Sequence, residues 1–158
     1  MINFFLLFNF FKFNFSQSEK WRVNKNVLGL MVVNSELNIS DLAILLKVED
    51  FNSGNSNRDS HALEVLEILK YPQIKFYSND LKVIQDNILI KGKFTSHGKS
   101  IEKTIPCKKS ISDRKIVLNG TFDFFLTESG IKLPSFLGFK IDDLVKISFK
   151  IEGDKDKI

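Results

Sequence analysis

Past residue 40 the chain alternates apolar and polar residues with a period of two, the spacing of a strand with one buried face. Leu42, Ile44, Leu46 and Val48 share one parity. Ile74 and Phe76 begin a second run, Leu81 and Val83 carry it on, and Gln85-Asp86-Asn87 reads as a turn. Ile88, Ile90, Gly92 and Phe94 alternate next. His97-Gly98-Lys99 then turns the chain back into Ile101, Ile105 and Cys107, with Lys103 interrupting that parity. Two late runs are the cleanest: Ile116, Leu118, Gly120, Phe122, Phe124 and Leu126, then Val145, Ile147, Phe149 and Ile151. Only Asp59 to Lys70 reads as helix. There Ala62, Leu63, Leu66 and Leu69 fall at three- and four-residue spacing, Asp59 or Ser60 caps the start and Pro72 closes the end. Many half-buried strands and one short helix predict an all-β antiparallel sheet, either closed on itself or folded as a sandwich.

The 158 residues favour one domain, and a chain of this size buries enough surface to fold without disulfides or a structural metal. Cys107 is the single cysteine, which excludes an intramolecular bridge and a cysteine zinc cage. Net charge is +4, but only Arg22, Arg58 and Arg114 are arginine, and lysines scattered among acids mostly keep a surface solvated. The composition therefore speaks against a nucleic-acid partner. Residues 1–18 form an apolar N-terminal segment in which seven of the sixteen phenylalanines precede residue 16. An export signal and an apolar first strand both fit it. Lys12 and the lack of a small-x-small cleavage site weaken the signal, whereas Phe11, Phe13 and Phe15 alternate with Lys12, Asn14 and Ser16. Residues 19–153 would then be the globular unit and 154–158 a charged tail.

Candidate chemistry is sparse. Gly98-Lys99-Ser100 resembles the end of a phosphate-binding loop, but the first glycine of such a loop would have to be residue 93, a lysine, and no helix follows. His61 and His97 are far apart in sequence. A metal site joining them through Asp59 or Glu64 is weighed against ordinary hydrogen-bonded histidines, the commoner outcome. Cys107 lies on the apolar parity and reads as a small core residue. The polar run Asn52 to Asp59 is either a turn or the mouth of a cavity, where Asn57 and Arg58 would meet a polar ligand head. Gly92 and Gly120 fall on apolar faces, where they either leave room in a lumen or let strands coil for closure. No catalytic constellation emerges, no cofactor is called for and no enzymatic activity is expected.

Four blocks in order resemble the YceI-like, or polyisoprenoid-binding, domain family. Gly54 to His61 is similar to its G-N-x-x-R-D-x-H loop, and Tyr71-Pro72-Gln73-Ile74-Lys75-Phe76 to its Y-P-x-I-x-F strand. Gly92 to Lys103 resembles the G-x-L-T-x-H-G-V-T-K hairpin, and Phe122 to Gly130 with Asp142 to Ile147 resembles the closing pair of strands. Thr127-Glu128-Ser129-Gly130 replaces the family's Ser-Asp-Phe-Gly, and Lys99 and Ser100 stand where Val and Thr are usual.

The resemblance implies a lipocalin-like, eight-stranded antiparallel barrel with one short helix, whose lumen holds an isoprenoid or other amphiphilic lipid, a quinone included, as bound ligand. It implies an exported, periplasmic or extracellular protein, with a cytoplasmic one as the alternative. Transient contact with a membrane surface is compatible with that reading, and the oligomeric state, a homodimer among the options, is left open. Parity and resemblance together assign Ile74, Phe76, Ile90, Phe94, Leu118, Gly120, Phe122, Phe124, Ile147 and Phe149 to the lumen wall, with Ile88, Ile116 and Val145 beside them and Leu63 and Leu66 closing it. Asn57 and Arg58 stand at its mouth. His97 falls on the outer parity unless the hairpin carries a bulge, and is expected to play a structural part, bonding backbone or loop groups near the strand end. The competing function is a structural or interaction barrel with a filled core and no ligand.

Overall fold

The computed structural model describes residues 2–15, 22–34, 36–112, 115–133, 135–136, 139–140 and 143–154, with the backbone alone for 2–15, 22, 58–59, 61–62, 65, 135–136, 139–140 and 154. Its elements are β1 (Ile2–Phe15), β2 (Arg22–Asn24), β3 (Val27–Val33), β4 (Ile39–Lys47), β5 (Phe51–Asn52), α1 (Ser56–Val65), β6 (Gln73–Ile84), β7 (Asn87–Ser96), β8 (Lys99–Ser112), β9 (Lys115–Phe125), β10 (Ser135–Phe136), β11 (Phe139–Lys140) and β12 (Leu144–Asp154). Residues 155–158, most of the expected tail, lie outside the described residues.

Eight strands follow one another in the order β12-β9-β8-β7-β6-β4-β3-β1, each antiparallel to its neighbour, and β1 pairs back onto β12. The apolar N-terminal run is the closing strand. Its first residues pair with β3 (Ile2↔Val33, Phe5↔Leu30) and its later ones with β12 (Phe11↔Phe149, Phe15↔Val145). β2 lies along β1 at Phe11 to Phe13, and β5 adds to β2. The choice between closed sheet and sandwich is thus decided for the closed sheet.

Burial follows the alternation. Leu42, Ile44 and Leu46 on β4, Ile88, Ile90 and Phe94 on β7, Ile116 to Phe124 at even positions on β9, and Val145 to Ile151 at odd positions on β12 are all buried in one core. Lys103, the interruption on β8, keeps the inward parity and is partly buried.

The change of parity along β6, from Ile74 and Phe76 to Leu81 and Val83, has a structural cause. Tyr77 pairs with Lys93 but Asp80 pairs with Lys91, so one extra residue bulges out of β6. Ser78 stitches the bulge, its Oγ donating to the Lys91 carbonyl at 2.6 Å and accepting from the Asp80 amide at 3.2 Å. Gly92 lies against the bulge. A Cβ there would stand 2.5 Å from the Tyr77 carbonyl oxygen and 2.9 Å from Ser78 Cβ, so only glycine lets β7 come this close.

The helix differs from the expected Asp59–Lys70. It starts at Ser56 and ends at Val65. Glu67 adopts a left-handed φ of 49°, and the amides of Ile68 and Glu67 donate to the carbonyls of Leu63 (3.2 Å) and Glu64 (3.1 Å), the closure of a Schellman motif. The chain is out of the helix well before Pro72. The start also moves: the Asn52 side chain accepts from the Gly54 amide at 2.7 Å, a local turn that lets Ser56 begin the helix, so Asn57 and Arg58 belong to α1 and not to a loop.

Gly92→Ala should lower stability by about 1–3 kcal/mol, because the backbone of the bulge cannot retreat without breaking the Ser78 bonds. Urea unfolding should show a lower midpoint at an unchanged slope. An unshifted midpoint would mean that the bulge is soft.

Candidate functional site in the barrel lumen

The inward side chains converge on a small cavity at mid-barrel. Leu42 and Ile44 of β4, Phe76 of β6, Ile90 and Phe94 of β7, Ile105 of β8, Phe122 of β9 and Phe149 of β12 line it. Every one is apolar. The void that remains is about 10 Å³, about the space of a single water. Rings fill the rest: Phe94 meets Phe122 edge-on with centroids 5.8 Å apart, and Phe124 at 5.1 Å.

Gly120 explains how the rings fit. It faces Phe149 across the β9–β12 ladder, and a Cβ on it would lie 2.6 Å from Phe149 Cε1 and 3.0 Å from Cys107 Sγ. The space freed by the missing side chain is therefore taken by the ring of Phe149. Neither expectation for this glycine, room for a ligand or strand coiling alone, describes what is found. Cys107 beside it is 2% exposed, and burial pushes its thiol up to about 12, so it is a protonated core group.

Of the residues assigned to the lumen, Phe76, Ile90, Phe94, Phe122 and Phe149 surround the cavity. Leu118, Phe124 and Ile147 are buried in the same core, and Ile74 is partly buried against it. Leu42, Ile44 and Ile105 complete the lining; their parity was readable, but they were not among the assigned residues. Asn57 is exposed and does not reach the cavity. The side chain of Arg58 lies outside the described residues, as does that of His61.

His97 is not on the outer strand face. It occupies the turn between β7 and β8 at φ 53°, and this left-handed backbone frees its side chain from strand parity. The ring lies over Tyr71, centroids 4.1 Å apart. Nδ1 donates to the Ser129 carbonyl at 3.2 Å, and Nε2 meets the Glu67 carboxylate. Three segments are tied at one barrel end: the loop after α1, the β7–β8 turn and the turn after β9. At the other end Lys109 Nζ donates to the Leu37 carbonyl at 2.8 Å, and its partial burial lowers its pKa.

The pattern of the YceI-like domain family matches residues 10–153. This chain belongs to the YceI-like domain family. Among solved structures, this YceI-like domain is similar to BcnA of Burkholderia cenocepacia at 14% identity and a TM-score of 0.79, covering 92% of this chain and 94% of that one. It is similar to the Campylobacter jejuni YCEI protein at 15% identity and a TM-score of 0.73, covering 92% and 85%. A polyisoprenoid binding domain from Saccharophagus degradans, implicated in plant cell wall breakdown, matches at 11% identity and a TM-score of 0.67, covering 98% and 99%. No curated protein matches the chain. At these identities the solved structures share the fold of this YceI-like domain.

Two substitutions test the packing. Gly120→Ala should destabilise by about 1–3 kcal/mol, and much of that loss should vanish in a Phe149→Leu background, because the ring is what the new methyl meets. Equal losses in both backgrounds would place the strain elsewhere. His97→Asn keeps a residue that accepts left-handed φ, so its effect isolates the lost ring contacts. A fall in melting temperature of a few degrees is expected, and an unchanged one would show that the three segments hold without the ring.

Proposed function

We propose that this chain binds an isoprenoid or other amphiphilic lipid in the lumen of its barrel, without catalysis. One observation carries the reading: among the described residues the mid-barrel cavity is walled by apolar side chains alone, four of them phenylalanine. Such a wall satisfies no polar ligand, whereas burying a hydrocarbon chain is worth roughly 0.8 kcal/mol per methylene. Membership of the YceI-like family and the likeness to a polyisoprenoid binding domain support it.

In the present state the void of about 10 Å³ has no room for a chain. Loading therefore requires phenylalanine rings to change rotamer or strands to part, and unloading lets the rings fall back. The contraction is also the observation that favours the second reading, a structural or interaction barrel with a filled core. Purified protein, extracted with organic solvent and analysed by mass spectrometry, separates the two. A stoichiometric isoprenoid or other long-chain lipid is expected, and protein that repeatedly yields none, and takes up none from vesicles containing farnesol, is a filled barrel.

A further inference from the structure

We propose that lipid passes into and out of the lumen sideways, through a seam between β8 and β9 that side chains hold shut, with Lys103 and Glu128 as its latch. This rests on the lumen being the lipid site and adds where its wall opens.

The ladder between β8 and β9 runs from Ser112↔Lys115 to Cys107↔Gly120 and stops there. Both strands continue. Residues 99–106 of β8 pair with β7 alone, and residues 121–125 of β9 with β12 alone. Pro106 stands where the ladder ends and has no amide hydrogen to offer it. Extending the register would set Ile105 opposite Phe122 and Thr104 opposite Asp123. Ile105 and Phe122 both line the cavity, so the unladdered stretch lies over the lumen.

Two other junctions are short. β4 pairs with β6 only over Leu42–Lys47, and β1 with β3 only over Ile2–Phe5. Neither has lining residues on both flanks of its unpaired part: below Leu42 the splayed ends of β4 and β6 contribute none, and β3 contributes none.

At the seam, side chains take over the work of the ladder. Lys103 Nζ donates to the Asp123 carbonyl at 3.4 Å and to the Glu128 carboxylate at 2.9 and 3.2 Å. Glu128 Oε1 in turn accepts from the Phe125 amide at 3.4 Å. The Asp123 carbonyl and the Phe125 amide lie two residues apart on one edge of β9, so they are groups a neighbouring strand would otherwise have engaged. Lys103 Nζ also stands 5.9 Å from the centroid of the Phe124 ring, and His97 bonds to the Ser129 carbonyl across this gap. Opening the seam therefore breaks single side-chain contacts and no backbone ladder. The Lys103 and Glu128 side chains are 18% and 33% exposed, so water replaces each partner as they separate.

The turn carrying Glu128 moves with β9 and β12. Leu126 donates to the Asp143 carbonyl at 3.0 Å, and Thr127 donates to the Asp143 carboxylate from its amide at 2.9 Å and its hydroxyl at 2.6 Å. Behind the latch, Phe94 packs on Phe122 and Phe124, rings that must separate when β8 leaves β9.

The test locks the seam. In a Cys107→Ser background, Thr104→Cys and Asp123→Cys place two exposed thiols on opposite flanks, to be joined by a disulfide or a short bis-maleimide. The probe is a dansyl-tagged farnesyl chain followed by stopped-flow fluorescence. The bridged protein should take up and release the probe more than about tenfold more slowly, with its equilibrium affinity changed by less than about twofold. The unbridged double variant should match its parent. Lys103→Met, which opens the latch, should raise both rates about two- to fivefold. Equal rates in bridged and unbridged protein overturn the seam as the route. Hydrogen exchange judges the opening without any lipid. The amides of Thr121, Asp123 and Phe125, which face β8, should exchange much faster than those of Val117 and Asn119 on the same edge, and bridging should slow them; equal protection along this edge of β9 overturns the opening. If the probe binds no form while exchange behaves as expected, the seam opens but the lumen is not a lipid site, and the passage of lipid falls with that reading.

Discussion

Closure of eight strands into a single sheet is the constraint from which the rest of this structure follows. A barrel of that size encloses an interior just wide enough to be filled by side chains, and this chain fills it with phenylalanine. Large rings cannot all meet on one axis unless some wall positions carry nothing. Gly120 gives its space to Phe149, and Gly92 gives its space to Phe76 and to the bulge of β6. The glycines and rings are one device, in which rings from one strand cover bare backbone on its neighbour.

The two ends of the barrel are closed by polar contacts of different kinds. At one, His97 and Glu67, both non-glycine residues with left-handed backbone, meet each other and tie three loops together. Left-handed backbone at such residues is costly, so the surrounding contacts have to hold it in place. At the other end a single lysine, Lys109, reaches 72 residues back along the chain to the Leu37 carbonyl. Between the ends the wall is backbone ladder except where strands splay. The apolar lumen is thus enclosed by parts of unequal strength.

Solved structures at 11% to 15% identity share this fold over nearly the whole of this chain, so the architecture does not depend on the identity of most side chains. Here contact between phenylalanines leaves about 10 Å³.

The inward-facing positions are readable in the amino-acid pattern, because side-chain direction in a strand has a period of two and only one face can be buried. Leu42 to Leu46, Ile116 to Phe124 and Val145 to Ile151 were legible for that reason, and the four family blocks, read in order, identified the barrel. Tertiary structure alone decided the rest. The bulge at Ser78 shows in the sequence only as a parity change, because its position is fixed by where β7 approaches at Gly92. The helix ended at Val65 because Glu67 turns left-handed, where local spacing favoured continuation to Lys70. His97 left its expected face because a turn, not a strand, carries it. The break in the β8–β9 ladder depends on which strand each edge meets. Pairing partners lie far apart along the chain, and local periodicity holds no information about distances that arise only on closure.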